Sequence, residues 1–166
     1  MNDHQPTMKN TYSFGDYLVW SLFAAIPVLT ALYAISRASL AWTVVYLIVF
    51  AVCLGGIEYR FFCTHCPHYG SGGGKTRCLF LWGVPAWFKP REGPLRFYEK
   101  ILAGLGFAVV ILFPVYWLLP HILLLLVYLI AWVLIGVFLK RYECGRCINR
   151  NCPLHPAPSN SKGGQA

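Results

Sequence analysis

Three long stretches of this chain contain no Asp, Glu, Lys or Arg: Tyr17 to Ser36, Leu40 to Ile57, and Ile101 to Leu139. A helix needs about 20 apolar residues to cross the hydrocarbon layer, and its backbone polar groups must be bonded within the segment. The first two stretches therefore predict one span each, and the third is long enough for two. Leu119-Pro120-His121 divides the third, because proline lacks a donor and restricts the residue before it. Ser36-Arg37-Ala38-Ser39 divides the first pair. The expectation is an all-α polytopic membrane protein with four transmembrane helices in two hairpins, over residues 16–57 and 101–139. Residues 1–15 precede the hairpins, 58–100 connect them, and 140–166 form a tail whose composition beyond about residue 156 is that of a disordered end. Only 12% of the residues are charged, roughly half the share in a soluble domain. No cleavable signal peptide is expected, since Asp3, His4 and Asp16 stand where a basic leader would be.

The basic residues give a direction. Arg60, Lys75, Arg77, Lys89, Arg91, Arg96 and Lys100 lie between the hairpins, and Lys140, Arg141, Arg146, Arg150 and Lys162 follow the second. Only Arg37 stands in the opposite turns. Cytoplasmic segments carry the Lys and Arg excess, so the middle loop, both termini and Lys9 are expected inside, in a cytoplasmic or inner membrane. The net charge of +8 thus reports orientation and contact with anionic membrane lipid, and not nucleic acid. Within the loop, Trp82, Trp87, Phe88 and Phe97 alternate with basic residues and with Pro85, Pro90 and Pro94. That mixture predicts a broken segment lying at the headgroup level of the inner leaflet.

The two hairpins end alike. Val45 begins VYLIVFAVCLGGIEYRFFCTHCP, and Val127 begins VYLIAWVLIGVFLKRYECGRC. With one gap, VYLI, a glycine, an arginine and a C-x-x-C align, and each hairpin has a proline in its first helix, Pro27 and Pro114. A 2+2 parallel repeat about an axis along the membrane normal would bring the two cysteine pairs together.

Seven cysteines are present. Cys53 lies inside the second span and reads as an inert packing thiol. The others form two groups: Cys63, Cys66 and Cys78 with His65 and His68, then Cys144, Cys147 and Cys152 with His155. Cytosolic thiols are kept reduced, so such a pattern is expected to bind metal. Cys63, Cys66, Cys144 and Cys147 would supply four thiolates, with Cys78, Cys152, His65, His68 and His155 as additional ligands. Zinc suits that donor set. An iron–sulfur cluster uses the same donors, and Cys66-Pro67 and Cys152-Pro153 resemble the step that closes bacterial ferredoxin motifs, although the remaining spacing departs from that pattern.

Other signals carry less. GSGGGKT at residues 70–76 lacks the glycine a phosphate loop requires, because Tyr69 occupies that position. His121 is expected to snorkel or cap its turn. Ala51-x3-Gly55 and Gly104-x3-Ala108 suit close helix packing, with self or with another subunit. The uncharged runs offer no ion or proton pathway, which disfavours a pump or secondary transporter. No catalytic pair is recognisable, so the favoured function is a membrane metal-binding protein, an anchor or docking surface for a protein partner or a homo-oligomer. The alternative is an iron–sulfur carrier between a cytosolic donor and a quinone or redox subunit. Thiol–disulfide exchange with quinone would need the cysteines on the oxidising side, opposite to the side the charges give.

Overall fold

The computed structural model describes residues 12–91, 93 and 95–147. Lys9, Cys152, His155 and the end of the tail lie outside these described residues. Four helices long and apolar enough to span a membrane are present: α1 (Phe14–Ala38), α2 (Leu40–His65), α3 (Phe97–Leu118) and α4 (Ile122–Glu143). Between α2 and α3 lie two short antiparallel strands, β1 (Lys75–Arg77) and β2 (Trp82–Pro85).

The ends of these helices follow from local chemistry. Ser13 caps α1: its Oγ accepts from the Asp16 N–H at 3.2 Å, and the Asp16 carboxylate accepts from the Ser13 N–H at 3.0 Å. Ser39 takes an extended conformation and lets α2 begin one residue after α1 ends. Pro27 is accommodated within α1, whereas Pro114 interrupts α3. The second hairpin turns at Leu119–His121, at the expected proline. α1 packs along α4, and α2 along α3.

Both tyrosines of the VYLI repeats lie at the centre of one buried cluster. Tyr46 and Tyr128 pack there with Ala31, Ala34, Ile35 and Leu118. The Tyr128 hydroxyl donates to the Ile111 carbonyl at 2.7 Å, beside the break that Pro114 introduces. A second cluster of Tyr12, Trp20, Leu79, Ile135 and Leu139 lies toward the cysteine-bearing end. Elsewhere the helices present large apolar side chains outward, with Leu22 at 64% and Leu123 at 75% exposure. A surface this apolar requires hydrocarbon around it, and the chain is an integral membrane protein.

Three features depart from the sequence reading or add to it. First, α2 continues to His65, past the end of the uncharged run at Ile57. Glu58 and Arg60 therefore belong to a spanning helix, as does Glu99 at the start of α3, so the spans do contain carboxylates. Second, Ala51, Gly55 and Gly104 are exposed within the chain. The small residue at the α2–α3 contact is Gly106, where an added Cβ would meet Ile57 at 3.6 Å and Cys53 at 3.8 Å. Third, part of the middle loop is a β-hairpin. The glycine run before it is used for its backbone, since Gly70, Gly73 and Gly74 have φ of 71°, 66° and 82°, a region that side chains disfavour.

Candidate metal centre

The two cysteine motifs are built by the same sequence of backbone states. α2 is α-helical to Phe50, widens into π-type turns over Ala51–Phe62, and closes with a 3-10 turn, Cys63–His65. The last part of α4 repeats this: α-helical to Phe138, π-type over Leu139–Glu143, then a 3-10 turn at Cys144–Arg146. The Cys63 N–H donates to Glu58 O and the Cys144 N–H to Leu139 O, each five residues back. Cys63 has φ −68° and ψ −33°, and Cys144 has −66° and −32°. Cys66 has φ −89° and ψ 134°, and Cys147 has −75° and 137°. In each motif the second cysteine N–H bonds the first cysteine carbonyl, at 2.9 Å and 3.4 Å. A turn of this kind brings two sulfurs of a C-x-x-C to one side.

The hairpins meet at these turns. Cys147 Sγ lies 3.6 Å from His68 Nε2, a contact between residues 79 apart in sequence. His68 is 1% exposed, and the Tyr12 ring meets it edge-on at 5.3 Å. Cys78 is carried in by the β-hairpin, where its N–H donates to Leu81 O at 3.0 Å. A hydrogen bond with Cys66 holds the Cys78 thiol below its ordinary range, although burial and the neighbouring Cys63 and Cys147 push the other way. Burial raises the Tyr12 phenol well above its usual value, and Cys147, Glu143, Cys78 and Cys144 add to the shift. Both cysteine groups are therefore within electrostatic reach of each other. Among the described residues, no group of three or more His, Cys, Asp or Glu side chains is arranged to hold a metal ion. The structure brings together Cys66 with Cys78 and His68 with Cys147.

His65 turns away from the sulfurs. Its Nδ1 lies 3.2 Å from Gly93 O, and its Nε2 is 3.4 Å from Glu99 Oε2. Glu99 is 1% exposed and also accepts from Arg91 Nη1 at 2.7 Å and from the Arg96 N–H at 2.9 Å. The Arg91 N–H in turn donates to Thr64 O, inside the first cysteine turn, at 2.9 Å. This buried network fastens the first motif to the start of α3. On the other side, the Tyr59 hydroxyl donates to Pro85 O, and Tyr69 brackets Phe88 by accepting its N–H at 2.8 Å and donating to its carbonyl at 3.0 Å. The β-hairpin that bears Cys78 is thereby held against α2. Sequence reasoning misses Tyr12, Glu99 and Glu143 as site neighbours. Glu143 adjoins Cys144 in sequence and had a local signal, but Tyr12 and Glu99 arrive only through packing.

No family model matches the chain, and no curated protein or solved structure matches it either.

Proposed function

We propose that this integral membrane protein binds a metal ion where its two hairpins end, and that the bound ion ties the hairpins into one docking surface for a protein partner. The observation that carries this reading is the 3.6 Å approach of Cys147 Sγ to His68 Nε2 across the hairpins. The matched C-x-x-C turns and the approach of Cys66 to Cys78 support it. Cys63, Cys66, Cys144 and Cys147 are the core donors, with Cys78 and His68 beside them. His65 is engaged by Glu99 and Gly93 and is the weakest of the nearby donors. Zinc is the metal that mixed thiolate and imidazole donors favour. The Lys and Arg asymmetry puts this end in the cytoplasm, where reduced thiols persist.

A second reading uses the same residues for an iron–sulfur cluster passing electrons to a quinone or membrane redox subunit. Cys66 and Cys63 of the same segment both act on Cys78, and Pro67 follows Cys66 directly. Metal analysis of anaerobically purified protein tests both. Zinc without colour supports the first reading, and a reducible absorption band near about 400 nm supports the second. Cys63→Ser and Cys144→Ser are each expected to lose the metal; retention in either variant refutes a site shared by the hairpins.

A further inference from the structure

A cleft of about 400 Å3 opens at the end of the molecule remote from the cysteines. Ala34 and Arg37 line it from the last turns of α1, and Tyr116, Trp117, Leu119 and His121 line it from the α3–α4 turn. Both hairpin turns lie at this end, so the cleft sits where the spans leave the hydrocarbon. Its volume falls in the range of small-molecule sites.

Its chemistry has a definite sign. No Asp or Glu occurs between Asp16 and Glu58, or between Glu99 and Glu143, so neither hairpin turn supplies a carboxylate to Arg37. α4 begins at Ile122, directly after the cleft residue His121. The Leu125 N–H donates to His121 O at 3.0 Å, and the N–H groups ahead of it have no intrahelical acceptor. The cleft thus holds an exposed guanidinium and an exposed imidazole, two hydrogen-bond donors suited to an anion, with the start of α4 next in sequence. Its remaining wall is apolar. Trp117 is stacked on Phe113 at 5.1 Å and lies 5.5 Å from Trp42, while Tyr116 is 74% and Leu119 60% exposed. That wall runs directly into the lipid-facing surface. A soluble anion would gain nothing from it, whereas a lipid would use both halves.

We infer that the cleft seats the phosphate headgroup of an anionic phospholipid from the leaflet opposite the cysteine site. Arg37 and His121 donate to the phosphate, and the glycerol and upper acyl chain lie along Tyr116, Trp117 and Leu119. The inference is independent of the metal reading, so either can fail alone.

The test is native mass spectrometry of the full-length protein released from phosphatidylcholine nanodiscs, prepared with and without phosphatidylglycerol. Retention of one phosphatidylglycerol per chain in preference to phosphatidylcholine is expected. Arg37→Gln should lower that retention about tenfold, the loss of one charge-assisted pair, and Arg37→Lys should keep part of it. If Arg37→Gln does not yield folded protein, His121→Gln supplies the same comparison. Equal retention by wild type and variant, or no preference between the two lipids, overturns the proposal. Displacement of the lipid by soluble glycerol phosphate at equal concentration overturns it as well, since the apolar wall would then contribute nothing.

Discussion

Glu99 shows how one residue can brace a proposed site without belonging to it. Its carboxylate is enclosed by Arg91, the Arg96 N–H and His65, and Arg91 passes the connection on to Thr64 between the first two cysteines. Buried charge-assisted hydrogen bonds are the strong ones, and removing one partner leaves the rest unsatisfied. Glu99→Gln is therefore expected to lower stability by about 2 kcal/mol, read as an earlier thermal transition in detergent, with metal stoichiometry unchanged. Loss of metal in folded Glu99→Gln protein would make it a ligand instead. His68→Gln should behave oppositely. It keeps the fold and lowers metal affinity about tenfold or more, measured by competition with a chelator. The sequence offered His65 and His68 as equals, since both flank Cys66. What separates them is Glu99, which captures His65 from another helix, and no spacing rule contains that information.

At the scale of elements, the hairpins were readable because uncharged length and proline position act locally. The places where the helices overrun their apolar stretches were not. Glu58 and Arg60 stay helical because α2 passes into wider turns and packs on α3, a tertiary effect that outweighs their polarity. The β-hairpin was hidden too. Its strands are three and four residues long, too short for alternation to register, and its glycine run resembled a failed phosphate loop. Within α3, Pro114 breaks the helix, and the Tyr128 hydroxyl supplies a donor to the Ile111 carbonyl nearby. Tyr128→Phe removes that donor in a setting where water cannot replace it. A destabilisation of about 1 kcal/mol is expected, measured by unfolding in detergent micelles. Tyr46→Phe should cost less, because Tyr46 contributes by stacking on Phe113 at 5.5 Å, and the phenyl ring keeps that contact.

For the whole molecule, the proposed metal site and the helix packing would hold the hairpins together at different places. α1 packs on α4 and α2 on α3, so each hairpin already touches the other along the membrane, and an ion at the proposed site would add a clamp at one end only. Chelation should leave helix content unchanged while increasing proteolytic cleavage between residues 66 and 90, where the loop depends on both motifs. Acidification should do the same, because protons compete with metal for thiolates and the bound ion is lost as the pH falls. Circular dichroism alongside limited proteolysis checks both, and a global loss of helix on chelation would contradict the clamp.

The brevity of the two hairpin tips has a consequence for biogenesis. One turn is a single serine between helices and the other is Leu119–His121, so translocating either tip moves one guanidinium or one imidazole across the bilayer and no carboxylate. Each pair of helices is therefore suited to enter the membrane as a closed unit, without export of a folded domain, with both C-x-x-C turns left at the ends opposite the tips.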